Sequence, residues 1–296
     1  MSKNKILITG GTGFIGRGIV ADNRFIDSTY IGRSMPFDQK NFVKKKLVVG
    51  ERLDDVLKDI DIIIHSAGIA HASKNAYESN MGPLKETNID YPIYLAQEAI
   101  KYGVKRFLFI SSVKVLGEIP ERGKKFKYND NYNPKDNYAK SKAIAEQELL
   151  KIVENSGLEL VIIRSPLVIG KNAKGNLERF SNMAKKGIPL PFAGINNSRS
   201  VVSIENLVDL IWHCAHDKRA ANKIVMVKDK QDLSTSAILQ KIAFLEGHRL
   251  KMFWIPEFAL KFIFGLFARR DLIEKILCSC EIDIEFTEKE IGWIAQ

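Results

Sequence analysis

The chain has 296 residues, of which 45% are hydrophobic and 27% are charged, which is enough material for one large α/β domain with a smaller domain attached. Its formal charge of +10 suits several kinds of anionic partner, but lysine runs such as residues 44–46 have no nucleic-acid-binding motif around them, so we expect no nucleic-acid partner. Three cysteines without paired spacing argue against a disulfide framework and a metal site, and they favour a reducing, cytoplasmic location.

Short β-branched runs alternate with helical patterns through the first half of the chain, as is typical of buried parallel strands joined by helices. The expected strands are Lys5–Thr9, Thr29–Ile31, Leu47–Val49, Ile60–His65, Arg106–Ser111 and Leu160–Arg164. Helical periodicity is present at residues 91–102 and 138–154. The pattern predicts an α/β protein with a doubly wound parallel sheet.

A glycine-rich turn follows the first expected strand. Residues 9–16 read Thr-Gly-Gly-Thr-Gly-Phe-Ile-Gly, and Gly11, Gly13 and Gly16 have the spacing of a dinucleotide-binding fingerprint. Glycines here allow a tight turn and let backbone N–H groups at a helix N-terminus approach a pyrophosphate. We therefore predict a Rossmann-type sheet that binds a dinucleotide. The predicted cofactor-binding residues of the turn are Gly10, Gly13, Phe14, Ile15 and Gly16.

The end of the second expected strand bears on which dinucleotide binds. NAD-binding sheets place a carboxylate there to hydrogen-bond the adenosine ribose, whereas this chain reads Tyr-Ile-Gly-Arg-Ser at residues 30–34. Arg33 could bind the 2′-phosphate of NADP with two hydrogen bonds. We predict NADP as the preferred cofactor and NAD as the alternative. In a further interpretation, Arg33 only stacks on the adenine or covers the sheet edge.

Three polar side chains form a candidate catalytic set. Tyr138 and Lys142 are four residues apart on a predicted helix, so the phenol and the ammonium share a face. A nearby ammonium lowers the pKa of a phenol, which lets the phenol exchange protons near neutral pH. Ser112 follows the expected strand at residues 106–111, at the edge where α/β sheets bind ligands. We predict Ser112, Tyr138 and Lys142 as catalytic residues, with Tyr138 as the proton donor or acceptor and Ser112 polarising the reacting oxygen.

The pattern changes after Arg164, where glycines and prolines divide the chain into loops and short helices. A helical pattern at residues 205–215 and a strand pattern at 223–227 indicate that the chain then returns to the sheet. We predict a dinucleotide-binding domain at residues 1–164, rejoined by about 204–228, and a smaller, irregular substrate-binding domain at residues 165–203 and 229–296. Pro256, Glu257 and Lys261 interrupt the most apolar stretch, so we expect no membrane span and no membrane contact.

Together these motifs resemble the extended short-chain dehydrogenase/reductase family, which contains the NAD-dependent epimerases and dehydratases. The residues that carry the resemblance are Thr9 to Gly16, His65-Ser66-Ala67-Gly68, Asn88, Ser111-Ser112 followed by Val115 and Gly117, and Tyr138 with Lys142. The resemblance implies that Ser66, Ala67 and Gly68 lie along the cofactor. It also implies that Asn88, Tyr138 and Lys142 contact the cofactor or support the active site.

A finer resemblance is to bacterial reductases and epimerases of UDP-linked 6-deoxy sugars in capsule and O-antigen pathways. It is carried by residues 111–118, 164–170, 175–176 and 197–200, and it implies that Asn176 and Arg199 bind the nucleotide diphosphate. Two features depart from the pattern. Leu116 stands where many epimerases have a tyrosine, and Asp136-Asn137 precede Tyr138 where a proline-containing pair is common.

The resemblance implies an NADPH-dependent reductase of a UDP-linked 4-keto-6-deoxy sugar in cell-surface polysaccharide biosynthesis, with the proton supplied by Tyr138. The alternative is a UDP-sugar 4-epimerase with tightly bound NAD, in which the same residues first oxidise C4. A weaker alternative is a non-catalytic dinucleotide-binding protein, against which the intact catalytic set argues. We expect a UDP-linked sugar as the partner and, by analogy with the family, a homodimer.

Overall fold

The structure is a computed structural model that describes residues 4–34, 39–70, 81–173, 175–266 and 270–296. Seven strands within this part of the chain form one parallel sheet in the order β3-β2-β1-β4-β5-β6-β9. These strands are β1 Ile6–Thr9, β2 Thr29–Gly32, β3 Phe42–Lys44, β4 Ile62–His65, β5 Arg106–Ser112, β6 Glu159–Ser165 and β9 Lys223–Met226. The prediction of a Rossmann-type doubly wound sheet is confirmed.

Helices cover both faces of the sheet. The helices of the described residues are α1 Phe14–Ala21, α2 Asp54–Leu57, α3 Gly82–Leu84, α4 Tyr91–Lys101, α5 Asn137–Val153, α6 Asn176–Lys185, α7 Ile204–His216, α8 Thr235–Leu245, α9 Glu257–Leu266 and α10 Arg270–Leu277. A π-helical segment, Lys85–Asp90, joins α3 to α4, and a second one, Thr287–Ile291, lies near the chain end. The predicted helices around residues 91–102, 138–154 and 205–215 are therefore present.

The two faces of the sheet use alternate residues of the same strands, as the pleat requires. Ile6 and Ile8 of β1 pack on the side of α1 and α7, whereas Leu7, between them, packs on the side of α4 and α5. Every residue of β5 is buried. A strand with both faces covered needs a continuous apolar run, and this need explains why β1, β4 and β5 were recognisable in the sequence.

The predicted strand at Leu47–Val49 is wrong. The edge strand β3 is formed five residues earlier, and its Phe42 pairs with Tyr30 of β2. Val48 and Val49 are 44% and 58% exposed. A three-residue apolar run specifies a strand only where a sheet edge accepts it, and here the edge of β2 is already paired with Phe42–Lys44.

A second sheet of two strands follows β6 in the chain and was not predicted from the sequence. It consists of β7 Leu167–Ile169 and β8 Val201–Ser203, which pair in parallel. The segment between these strands, together with α8, α9 and α10, forms a separate apolar cluster. That cluster contains Leu190, Phe192, Ile195, Leu239, Leu260 and Ile273. The domain limits stay a prediction.

The last residues of the chain pack against the large sheet. Ile291, Trp293 and Ala295 belong to the apolar core beneath α1 and α7, and Trp293 donates its indole N–H to Asp209 at 2.8 Å. These residues fall in the range that the sequence analysis assigned to the substrate-binding domain. None of the helices in the described ranges has the length and hydropathy needed to span a bilayer.

Candidate active site

The glycine turn after β1 has a geometry that only glycine satisfies at two positions. Gly10 has φ +78°, and a Cβ atom placed there would lie 2.5 Å from the backbone N of Ala67. A Cβ atom on Gly16 would lie 2.0 Å from the carbonyl oxygen of Gly10. The turn therefore packs α1 directly against the ends of β1 and β4, and larger residues would push these elements apart.

The N-terminus of α1 is open to an anion. Gly13 occupies the N-cap position and is exposed, and within the described residues no side chain caps the first turn. The backbone N–H groups of Phe14 and Ile15 lie in that turn. Uncapped N–H groups and the positive end of the helix dipole suit a phosphate group. This arrangement can receive the pyrophosphate of a dinucleotide.

The end of β4 lies beside the glycine turn. Ser66 donates its hydroxyl to the carbonyl oxygen of Thr9 at 2.7 Å, and the N–H of Ala67 donates to Oγ1 of Thr9 at 3.3 Å. These bonds hold the carboxyl ends of β1 and β4 together at the point where the strand order reverses. Parallel sheets bind ligands in the crevice at such a point.

Asn88 connects the segment after β4 to helix α5. Its side chain is fully buried, and it exchanges two hydrogen bonds with the backbone of Ile69, at 2.8 and 3.1 Å. A third bond runs from Nδ2 to the hydroxyl of Ser141 at 3.0 Å. A methyl group at Gly68 would lie 3.3 Å from Oδ1 of Asn88 and 3.4 Å from Nζ of Lys142. Gly68, Asn88 and Lys142 therefore lie together.

His65 is buried near Lys142. The sequence analysis assigned it no role of its own apart from its place in the motif His65-Ser66-Ala67-Gly68. Its Nδ1 lies 2.9 Å from Oγ1 of Thr9, and its ring stacks on Phe109 at a centroid distance of 5.9 Å. Burial, and to a lesser degree the charge of Lys142, lowers the pKa of His65 to about 3. The imidazole is therefore neutral at physiological pH and supports the ends of β1 and β4.

The candidate catalytic tyrosine, Tyr138, is the second residue of helix α5. Asp136 caps the helix by accepting a hydrogen bond from the N–H of Ala139 at 2.7 Å, which accounts for the residue found there instead of the family's usual pair. Its other oxygen lies 3.0 Å from Nζ of Lys114. Tyr138, two residues after Asp136, is half-buried. Because Lys114 comes two residues after Ser112, this ion pair joins the segment that follows β5 to the start of α5.

Lys142 is buried one turn further along α5. Its ammonium donates to the carbonyl oxygen of Ile110 at 2.9 Å and lies 4.4 Å from the ring centre of Phe109, so it contacts β5. Burial lowers the pKa of Lys142 to about 8, and the nearby carboxylate of Glu146 opposes this shift. An ammonium held in this way can stabilise a phenolate on the neighbouring turn.

Ser112 is the last residue of β5 and is 8% exposed. Its hydroxyl accepts a hydrogen bond from the N–H of Lys114 at 3.3 Å. The hydroxyl's own proton can therefore be donated to a ligand oxygen. The structure thus brings Ser112, on β5, to the strand end that Lys142 contacts, and Lys142 shares a helix face with Tyr138.

The remaining predicted site residues lie further out. Arg33 is exposed at the end of β2. Asn176 begins α6, and its side chain lies outside the described part of the structure. Arg199 donates from Nη1 to the carbonyl oxygens of Lys275 and Cys278, at 2.6 and 3.1 Å, so its guanidinium caps the C-terminal end of α10. The predicted contact of Arg199 with a nucleotide diphosphate stays a prediction.

Comparisons with known proteins agree with this geometry. The family model described as the NAD dependent epimerase/dehydratase family matches residues 6–227. The chain is 35% identical over 295 residues to a UDP-glucose 4-epimerase of Vibrio cholerae, an alignment that covers 97% of this chain and 90% of that protein. The similarity therefore covers nearly the whole chain and is not limited to the dinucleotide-binding motif.

Solved structures with the same fold include two epimerases. A UDP-glucuronic acid 4-epimerase from Bacillus cereus, determined in complex with NAD, has a TM-score of 0.74 at 17% identity, covering 99% of this chain and 93% of that one. A UDP-N-acetylglucosamine 4-epimerase from Methanobrevibacter ruminantium, determined with UDP-N-acetylmuramic acid, has a TM-score of 0.74 at 22% identity, covering 100% and 94%. At these identities the similarity concerns the fold.

Proposed function

Because the chain belongs to the NAD-dependent epimerase/dehydratase family, we propose that it is a UDP-sugar 4-epimerase that retains NAD between turnovers. The observation that carries this proposal is the 35% identity to a UDP-glucose 4-epimerase over 97% of the chain. Ser112 ends β5, and Lys142, one helical turn after Tyr138, donates to the carbonyl oxygen of Ile110, which supports a catalytic rather than a purely structural role.

The glycine turn and the end of β4 would hold the cofactor. In this proposal the first turn of α1 binds the pyrophosphate, and Ser66, Ala67 and Gly68 lie along the dinucleotide. Bound NAD supplies the acceptor and the donor of hydride at C4 of the sugar. The open N-terminus of α1 and the close contact of Gly10 with Ala67 support this assignment.

The protein's own groups would move the proton of the sugar's C4 hydroxyl. Tyr138 takes this proton as C4 is oxidised and returns it when C4 is reduced. Lys142 holds the phenolate form by its positive charge, and Ser112 donates a hydrogen bond to the same sugar oxygen. For the configuration to invert, the 4-keto sugar turns over in the site between the two steps.

Two measurements test the proposal. The purified protein is denatured and the released nucleotide is identified, and the native protein is incubated with UDP-glucose and with UDP-N-acetylglucosamine while NMR follows the sugar. We expect bound NAD and interconversion of the C4 epimers without net consumption of added cofactor. If neither sugar is converted and no nucleotide is released, the epimerase assignment is wrong.

The exposed position of Arg33 favours a second candidate, an NADPH-dependent reductase of a UDP-linked 4-keto-6-deoxy sugar. Residues 30–34 contain no carboxylate that would repel a 2′-phosphate. This reductase would consume NADPH in proportion to the 4-keto sugar supplied. In that case Arg33→Ala should weaken NADPH binding by about tenfold or more, because one charge-assisted hydrogen bond to the 2′-phosphate would be lost. NADH binding should be unchanged, since NADH lacks this phosphate. Equal effects on the two cofactors would exclude a phosphate contact.

A UDP-linked sugar is the partner that both candidates require. A place in polysaccharide biosynthesis, a cytoplasmic location and a homodimeric state remain predictions from the family resemblance. The mass of the native protein in solution, measured by light scattering, tests the last of these.

A further inference from the structure

The middle of helix α5 contains a carboxylate without solvent access. Glu146 is 0% exposed. Arg164 of β6 supplies the opposite charge that such a group needs, with Nη2 and Nε lying 2.7 and 3.1 Å from Oε2. Tyr132 donates its hydroxyl to the same oxygen at 2.9 Å. This cluster was not predicted from the sequence, although an arginine inside the apolar run of β6 is a signal of a buried charge.

The other oxygen of Glu146 is bonded to strand β5. Ser111, the residue before Ser112, donates its hydroxyl to Oε1. One turn earlier on the same helix, the ammonium of Lys142 donates to the carbonyl oxygen of Ile110 at 2.9 Å. Two successive turns of α5 are therefore bonded to two successive residues of β5, immediately before Ser112.

These two contacts determine where Tyr138 lies along the strand. Tyr138, Lys142 and Glu146 are spaced by four residues and share one face of α5. Moving the helix along its axis by one residue, about 1.5 Å, would break both contacts to β5. The contact between Glu146 and Ser111 therefore helps to fix the position of the phenol relative to the Ser112 hydroxyl.

The same carboxylate lies one helical turn after Lys142 on α5, and Lys142 is 4% exposed. The ammonium contacts the carbonyl oxygen of Ile110 and the ring of Phe109. His65 of β4 and Asn88 of the segment before α4 lie near it. On its own helix, Tyr138 lies one turn earlier and Glu146 one turn later. His65 opposes the positive charge when it is protonated. Glu146 is the carboxylate of this set, and it acts against the loss of charge that burial favours.

We propose that Glu146 is a positioning residue of the active site, whose buried carboxylate provides a counter-charge one helical turn from Lys142 and holds α5 against β5 so that Tyr138 faces Ser112. The importance of this positioning for catalysis rests on the proposed function. The titration of Lys142 is independent of the proposed function, because it requires neither substrate nor cofactor.

The charge is tested with Glu146→Gln, which keeps the shape and the hydrogen-bonding capacity of the side chain. The lysine resonances of the cofactor-free protein are titrated by NMR, and the Lys142 signal is assigned by its loss in Lys142→Met. We expect the midpoint for Lys142 to fall by about half a pH unit or more, because the favourable charge is gone. The alkaline limb of the kcat profile should move to lower pH with it, while KM changes by less than about twofold.

Tyr132→Phe is the matched control for the charge. It removes a hydrogen bond to the same buried carboxylate but leaves the negative charge, so the Lys142 midpoint should stay within about 0.2 pH units of the wild-type value. An equal displacement in Tyr132→Phe would overturn the proposal, because general loosening of the cluster would then account for the shift.

Glu146→Gln leaves Arg164 buried without its counter-ion and could fail to fold for that reason. The double variant Glu146→Gln with Arg164→Gln removes both charges, and its Lys142 midpoint should still lie below that of the wild type. A wild-type midpoint in a folded Glu146→Gln or double variant would overturn the assignment of Glu146 as the counter-charge of Lys142.

Ser111→Ala tests the contact to β5 separately. It keeps the carboxylate and removes its bond to the strand, so we expect a severalfold loss of kcat with an unchanged Lys142 midpoint and an unchanged KM. Wild-type kcat in this variant would overturn the positioning part of the proposal. A wild-type protein that converts no sugar would instead refute the proposed function and leave the lysine titration as an independent result.

Discussion

At the scale of single residues, the candidate site combines a phenol with a hydroxyl and an ammonium that each make a backbone contact. Lys142 is bonded to the carbonyl oxygen of Ile110, and Ser112 ends the same strand two residues later. Tyr138 lies one helical turn before Lys142 and is half-buried, so a ligand can approach it. The chemistry that these three groups can perform depends on their protonation states.

Removing the phenolic hydroxyl should separate catalysis from cofactor binding. Tyr138→Phe keeps the ring and its packing, so we expect it to retain bound nucleotide but to lose about a hundredfold or more in kcat, the usual contribution of a positioned acid or base. Steady-state rates and quantification of bound nucleotide check this. Tyr94→Phe, which removes a hydroxyl of α4 that donates to the carbonyl oxygen of Glu51, is the control and should turn over normally; near-normal turnover by Tyr138→Phe would reject the catalytic assignment.

Lys142 should make the stability of the cofactor-free protein depend on alkaline pH. Its pKa is about 8 in the folded protein and 10.5 as the ordinary value. Between these values the unfolded chain binds more protons than the folded chain, so the free energy of unfolding rises as pH increases, by up to about 3 kcal/mol. Lys142→Met should lack this rise. Urea unfolding from pH 8 to pH 10.5 measures the difference, and parallel curves for the two proteins would contradict it.

At the scale of elements, the start of α5 matters most for the site, because this helix carries two of the three catalytic candidates. Asp136 provides its N-cap and, through Lys114, its connection to the segment after β5. The cap should contribute more to the free energy of unfolding than the ion pair does. Capping satisfies a backbone N–H group, whereas the ion pair is partly exposed to solvent, which weakens it.

Two substitutions of Asp136 distinguish these contributions. Asp136→Ala removes both, and we expect the free energy of unfolding to fall by about 1 kcal/mol, the usual cost of a lost cap. Asp136→Asn keeps a good capping group without the charge and should cost less than half as much. Urea unfolding near neutral pH checks both values. Equal losses would indicate that the ion pair, not the cap, stabilises the start of α5.

At the scale of the whole molecule, the chain crosses more than once between the large sheet and the separate apolar cluster that contains residues of α8, α9 and α10. After the second sheet it returns through α7 and β9, leaves again for α8 to α10, and finally packs residues 291–295 into the core of the large sheet. Several segments therefore connect the large sheet with this cluster, and the stability of the large sheet depends on residues at the end of the chain.

The C-terminal packing predicts a large effect for a residue far from the site. Trp293 is 3% exposed, so Trp293→Ala should lower the free energy of unfolding by about 3–5 kcal/mol through the cavity it leaves. Its neighbour Ile294 is 66% exposed, and Ile294→Ala should change stability by no more than about 0.5 kcal/mol. Denaturant unfolding of both variants measures the contrast. If Trp293→Ala lowered the free energy of unfolding as little as Ile294→Ala does, the C-terminal segment would not be part of the core.

The amino-acid sequence alone determined the parallel sheet, the glycine turn and the grouping of Ser112 with Tyr138 and Lys142. Each of these depends on local spacing: two-residue alternation or continuous burial in a strand, glycines at a strand-to-helix turn, and four residues between groups on one helix face. The carboxyl ends of parallel strands meet at one edge, so Ser112 could be located without coordinates.

Only the tertiary structure decided the contacts between distant parts of the chain. The edge strand formed at Phe42–Lys44 because β2 pairs with that segment. The Glu146 carboxylate is buried because Arg164 of β6 lies opposite it, and Arg199 binds carbonyl groups of α10. Such contacts join residues from 12 to 79 positions apart, so their partners depend on how the elements pack, which no local pattern specifies.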